Sequence, residues 1–305
     1  MENEINWLAD VTKGAFQNQY ILGDIIGRGS TSTVHSCLHK GRKKYACKIM
    51  PKARLNKVDT GARLRALLRM RHSNMVSVKE VYDDSLRIFV IEDLASGGEL
   101  LERLASRGEY SEIDAAEAVQ DTASALEYIH SMGFCHGSLR PEKLLYASED
   151  ENSRLLLVGN GATTVSLSPY KILYCAPEVI ATGKADSPSD IWSLGIVLYI
   201  MLCGFEPFRK TEEIFPSPYW DDKTDEAKQL VLQLMQQIPE HRPTAKDLLN
   251  NSWVCGEKTS RYSMTEVAQH LTEFNARRKF KAATHAVRAA HRAIAMTHCH
   301  GAVVG

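Results

Sequence analysis

Two internal stretches and the end of the chain carry residues that could do chemistry. Gly27-Arg28-Gly29-Ser30-Thr31-Ser32-Thr33-Val34 is a glycine turn between two apolar stretches, and Lys48 follows 14 residues after Val34. A G-x-G alone is a weak signal. His136-Gly137-Ser138 opens a run to Leu145, with Cys135 just before it. A Cys–His pair suggests a thiol nucleophile. Neighbours on a strand point to opposite faces, however, so Cys135 reads as packing. His298 and His300 flank Cys299 and offer metal donors, but terminal fraying is the simpler reading. The seven cysteines are widely spaced and form no C-x-x-C, so neither a disulfide framework nor a zinc site is expected.

These residues need elements to hold them. Residues 20–50 read as short strands around turns, and 87–94 as another strand before Ser96-Gly97-Gly98. The periodicity then becomes helical. Ser111 caps a helix reaching His130, with an apolar stripe through Ala115, Val119, Ala123, Leu126 and Ile129. Ser189–Leu202 reads as a buried helix, with further helices over 224–235 and 244–250. A strand-rich first third and a helical remainder predict two lobes. Residues 264–296 read as one or two helices, with Phe280, Val287 and Ile294 recurring every seven residues.

The chain has 305 residues, 44% of them apolar and 24% charged, which excludes wholesale disorder. Thirty-seven basic residues balance 37 acidic ones, which argues against a nucleic-acid binder. The balance is uneven. From Phe274 onward there are six basic residues and no acidic one. An acidic body with a basic tail suggests an acidic partner or a tail that folds back. The start, MENEINWLAD, lacks the features of a signal peptide. The longest apolar stretch, 191–203, is shorter than the ~20 residues a membrane span takes. A soluble protein of the cytoplasm or nucleus is expected.

Further motifs follow in a fixed order: Ala176-Pro177-Glu178, then Ser189-Asp190-Ile191-Trp192-Ser193-Leu194-Gly195. Together with the glycine turn, Lys48 and the 136–145 run, this order and spacing resembles the protein kinase domain over roughly residues 20–254. CGFEPF (203–208), YSEIDAAEAV (110–119), KLLYA (143–147), YCAPE (174–178) and SPYWDD (217–222) look like the calcium/calmodulin-dependent kinases, especially their type IV branch. The resemblance implies an α+β, two-lobe protein kinase fold with a C-terminal basic helical tail. Its small, mostly-β N-lobe would span 20–95 and its larger, mostly-α C-lobe 96–254. Residues 1–19 would be an N-terminal extension. Residues 255–305 would form a tail like the family's autoinhibitory and calmodulin-binding segment. Within FNARRKFKAA (274–283) and just beyond it, Arg277, Arg278, Lys279, Phe280, Lys281 and Val287 are the calmodulin-contact candidates.

Four positions depart from the family pattern. The HRD aspartate, which accepts the substrate proton, corresponds to Ser138. A serine hydroxyl without an activating base cannot do that near neutral pH. The Mg²⁺-binding asparagine corresponds to Lys143, which has no lone pair to offer a cation. The DFG aspartate corresponds to Gly159. The helix glutamate that would pair with Lys48 corresponds to Arg63, which should repel it. The HRD arginine is Gly137 and the activation-loop threonine is Lys171, so both halves of that phosphorylation switch are replaced. The family's structural residues are kept: His136, Glu178, Asp190 and Arg242, of which Asp190 would anchor the catalytic loop and Glu178 would pair with Arg242.

The resemblance makes Gly27, Gly29, Val34, Ala46, Lys48 and Glu99 the nucleotide-binding candidates, with Glu99 at the ribose. Either Ile91 or Glu92 would be the gatekeeper beside adenine. The cleft loses negatives at 63, 138 and 159 and gains positives at Arg63 and Lys143. It should therefore disfavour Mg²⁺, and lysine or arginine could hold a phosphate directly. No cofactor is required on this reading; ATP binding would be weak and independent of Mg²⁺, and no metal is expected. The implied function is that of a catalytically inactive pseudokinase, a scaffold or regulator with partners in kinase signalling and with Ca²⁺–calmodulin on its tail. The alternatives are a serine/threonine kinase with unorthodox phosphotransfer and a decoy for an active relative. A basic tail against a basic cleft is not expected to dock well.

Overall fold

The structure is a computed structural model that describes residues 8, 10–29, 32–159, 172–207 and 213–301, without the side chains of 54, 57–59, 282 and 285–301. Strands β1 (Tyr20–Arg28), β2 (Thr33–His39), β3 (Lys43–Pro51), β4 (Val78–Asp83) and β5 (Arg87–Glu92) form one antiparallel sheet in the order β1-β2-β3-β5-β4. Helix α1 (Lys57–Arg69) crosses between β3 and β4. Alternation sorts the strand residues. Cys37, Cys47, Ile49, Phe89 and Ile91 turn into a small core with Phe16 and Tyr20, whose rings stack 5.6 Å apart. Ala46 and Lys48 take the opposite face, over the cleft.

The segment before β1 belongs to this packing. Leu8 and Val11 are buried, and Thr12 bridges Val81 in parallel. Asp10 accepts from Arg65 of α1 at 2.5 and 2.9 Å, which straps the segment to that helix.

The second lobe is helical: α2 (Leu100–Arg107), α3 (Glu112–Ser131), α4 (Pro177–Thr182), α5 (Ser187–Cys203), α6 (Asp225–Leu234) and α7 (Ala245–Leu248), with a small hairpin of β6 (Leu144–Tyr146) and β7 (Leu155–Leu157). Ser111 and Asp114 close a capping box at the start of α3. Helix α5 is apolar nearly all round and lies in the core, as such a helix must. It ends at Gly204, whose φ of 82° suits glycine. A Cβ there would meet His270 Cβ at 2.3 Å, so the residue also gives passage to the tail.

That tail is one helix, α8 (Thr265–Gly301). Val267, Ala268, Leu271, Phe274, Asn275 and Arg278 are buried. Their i, i+3, i+4, i+7 spacing makes a single stripe against the lobe. Burying each large apolar side chain of that stripe contributes roughly 1.5–3 kcal/mol. Phe280 points the other way and is 74% exposed. Among the described residues no helix is long and apolar enough to cross a membrane.

Candidate functional site: the cleft between the lobes

The upper wall of the cleft is set by strand register. Lys48 lies opposite Val34 and Ala46 opposite Glu92. Directly opposed residues share a face, so Lys48 and Glu92 both look into the cleft. Ile91 faces the small core instead. Of the two gatekeeper alternatives, Glu92 is thus the one on the cleft wall. It is 8% exposed, and burial pushes its pKa up while Lys48 and Lys143 pull it back. Gly27 ends β1 opposite Val34, and the Gly29 amide donates to Ser32 O at 2.8 Å. Ser30 and Thr31 lie outside the described residues.

The lower wall begins with a tightly held loop. The buried Asp190 carboxylate accepts from the amides of His136 and Gly137, each at 2.7 Å, and lies 2.9 Å from His130 Nε2. Gly137 adopts φ 69° there, a conformation that costs glycine nothing. Burial pulls the His136 pKa down to about 4, so its imidazole is neutral near pH 7. Its Nε2 lies 3.3 Å from Val158 O. Further out, Arg242 donates to both oxygens of Glu178, at 2.7 and 2.9 Å, and its guanidinium lies over Trp192.

The chemically distinctive positions lie between these walls. Ser138 offers its carbonyl to Arg140 Nη1 at 3.0 Å. Its hydroxyl has no hydrogen-bond partner among the described residues. A Cβ on Gly159 would lie 2.6 Å from Lys143 Nζ. The lysine therefore fills the space that a side chain at 159 would enter. Burial, with Arg140 and Lys48 close by, pulls its amine down to about 7. Neither the Lys48 nor the Lys143 side-chain ammonium has a hydrogen-bond or ion-pair partner among the described residues. A divalent cation does not fit this arrangement: residue 159 has no oxygen to give, and an ammonium stands in its place. Among the described residues no cluster of three His, Cys, Asp or Glu side chains could hold a metal.

Two long cations reach across the molecule. Arg63 stands where the resemblance expects a partner for Lys48. Its Nη2 donates instead to Cys135 O at 2.8 Å, across to the other lobe, because a guanidinium seeks a free carbonyl rather than an ammonium. Like charge makes a basic tail against a basic cleft unpromising without deciding whether the tail reaches it. Arg278 docks at its mouth, donating to Glu99 and lying 2.9 Å from Glu142. The cleft is basic inside, but its rim carries these two carboxylates. Lys279 adds an ion pair with Glu102 at 2.7 Å. Burial pushes Glu99 up to about 7 against the pull of Arg278.

The calmodulin-contact candidates are therefore divided. Arg278 and Lys279 are engaged with the lobe, Arg277 pairs with Glu273 at 3.8 Å, and Phe280 and Lys281 are exposed. The Val287 side chain, Lys171 and the side chains of His298, Cys299 and His300 lie outside the described residues. Sequence reasoning missed the Glu142–Arg278 contact. A signal existed: Arg278 continues the inward stripe Leu271–Phe274, one turn on.

A family model described as protein kinase domain matches residues 20–254. Calcium/calmodulin-dependent protein kinase type IV of Homo sapiens is 35% identical across 97% of this chain and 67% of its own length. The type IV enzyme of Rattus norvegicus is 36% identical across 94% and 65%. Calcium/calmodulin-dependent protein kinase type 1 of Macrobrachium nipponense is 33% identical across 89% and 86%. The chain spans about two thirds of the length of the type IV relatives.

Proposed function

The chain belongs to the protein kinase domain family, and from that membership we propose that it is a pseudokinase of the calcium/calmodulin-dependent group, acting as a scaffold or regulator. One observation carries the reading: Lys143 Nζ occupies the space beside Gly159 from which the family's metal-binding carboxylate would project. Phosphotransfer in this family relies on positioned metal ions and an aspartate base. Here the base position is Ser138 and the metal positions are an ammonium and a glycine. The acids Glu149, Asp150 and Glu151 do not supply a substitute. The carbonyls of Asp150 and Glu151 bind Arg103 in the loop between β6 and β7, and the Asp150 carboxylate accepts from Ser148.

The intact parts support a folded binding protein. Asp190 holds the loop and Arg242 holds Glu178, as a maintained scaffold requires. Any ATP binding in this cleft is weak and needs no Mg²⁺. On the tail, Phe280 and Lys281 present an apolar and basic face suited to Ca²⁺–calmodulin. Partners in kinase signalling and a cytoplasmic or nuclear location follow from the same reading.

The test is a radiolabel transfer assay on the full chain with Mg²⁺ and then Mn²⁺. No incorporation above a Lys48→Met control is expected. Incorporation that disappears in the control overturns the reading. Calorimetric titration with calmodulin should show binding of micromolar strength or tighter in Ca²⁺ and none in EGTA.

A further inference from the structure

Both ends of the cleft that a nucleoside would use are compromised. At the inner end Glu92, buried on the cleft face opposite Ala46, puts a carboxyl group where a base would stack. Packing a base against it removes what water it still has, at a cost. At the outer end the Glu99 carboxylate is held by Arg278, so a ribose hydroxyl would have to displace a charge-assisted bond.

The middle of the cleft is different. Lys48 comes from β3 in one lobe and Lys143 from the turn just before β6 in the other. Neither ammonium group has an acceptor among the described residues, and Arg140 is near enough to shift the Lys143 amine. Glu92 and Glu142 act on the Lys143 amine only through space, and a multivalent anion between the like-charged groups would add the direct acceptors they lack. Among the described residues, the three atoms nearest a Cβ at Gly159 all belong to Lys143.

We propose that this cleft is a polyphosphate site: Lys48 and Lys143, with Arg140, hold a di- or triphosphate anion directly, with no metal ion and no reading of base or ribose. The inference rests on the pseudokinase reading and names its ligand. Several consequences follow. Mg²⁺ competes with the lysines for the phosphate oxygens, so it weakens binding. The triphosphate of ATP and inorganic tripolyphosphate bind alike. An anion beside the Lys143 amine, which titrates near pH 7 when the cleft is empty, draws a proton onto it. Binding should therefore be coupled to proton exchange, with uptake by the Lys143 amine opposed by release from the terminal phosphate.

The experiment is calorimetric titration of the full chain with tripolyphosphate, ATP and adenosine, first in EDTA and then in Mg²⁺. Titrating in two buffers of different ionisation enthalpy adds the proton count. Tripolyphosphate and ATP should agree within about threefold, adenosine should give no heat, and Mg²⁺ should weaken both anions. Lys143→Met and, separately, Lys48→Met should each lower tripolyphosphate affinity about tenfold or more, with melting still cooperative. Adenosine binding, ATP more than tenfold tighter than tripolyphosphate, or tightening by Mg²⁺ overturns the proposal. So does silence of tripolyphosphate on a cooperatively melting protein. The transfer assay keeps the two readings apart. If tripolyphosphate is silent and no transfer occurs, only this inference falls. If transfer occurs and Mg²⁺ tightens ATP, both fall.

Discussion

The loop held by Asp190 runs to within six residues of Lys143, yet the anchor and the cleft centre treat charge in opposite ways. Around Asp190 a buried carboxylate is met by two amides and an imidazole. Around Glu112, also buried, the carboxylate accepts from the Thr224 amide and hydroxyl, the Trp253 indole and the Ser260 amide. In the cleft the half-buried Lys48 and Lys143 ammonium groups stand without acceptors among the described residues. Buried charge that is fully hydrogen-bonded holds a structure together, whereas buried charge left unpaired is a liability kept for something other than stability. The lower lobe is built on the first kind and the cleft on the second.

The sharpest way to break the comparison is Asp190→Ala. It orphans two buried amides and should cost about 4 kcal/mol in urea unfolding. If the loss is under about 1 kcal/mol, the loop is held by something else. Glu112→Gln keeps shape and one acceptor oxygen but brings an amide donor among four donors, so a loss of about 2 kcal/mol is expected. The cleft should respond with the opposite sign. Lys143→Met removes an unpaired buried amine and should stabilise the protein by about 2 kcal/mol at pH 7. The parent chain also carries a pH signature. The amine titrates near 10.5 when unfolded and about 7 when folded. Between those values the unfolded chain binds the extra proton, so parent stability should rise with pH across that window. Lys143→Met should flatten that rise, as melting between pH 7 and 10 would show. The smallest effect is at the tail. Phe280→Ala removes an exposed ring and should move stability by no more than about 0.5 kcal/mol while weakening the proposed calmodulin binding.

Much of this was legible in the sequence. Alternation and helical periodicity placed the two lobes, and Ser111, Thr224 and Thr244 do sit at helix starts. The order of motifs placed Lys48, His136 and Asp190 around one cleft. What could not be read was which way long side chains turn. Arg63 follows from the position of one carbonyl 72 residues on. Arg278 follows from carboxylates 179 and 136 residues earlier in the chain. The filling of the Gly159 space depends on a rotamer of Lys143. Local pattern fixes the backbone of an element and its buried face, but a flexible cation's partner is set by tertiary contacts. The packing of residues 8–16 escaped notice for a related reason. Leu8, Val11 and Phe16 are too few and too irregular to make a period.

That N-terminal strap has a practical consequence for handling the protein. A fragment begun at Tyr20, where the family match starts, would lose Leu8, Val11 and Phe16 from two separate clusters and leave Arg65 without Asp10. It would present apolar surface on the sheet and along α1 to solvent, and such surface drives self-association. Poor yield from a fragment trimmed to the family boundary would report the missing strap, not a weak fold.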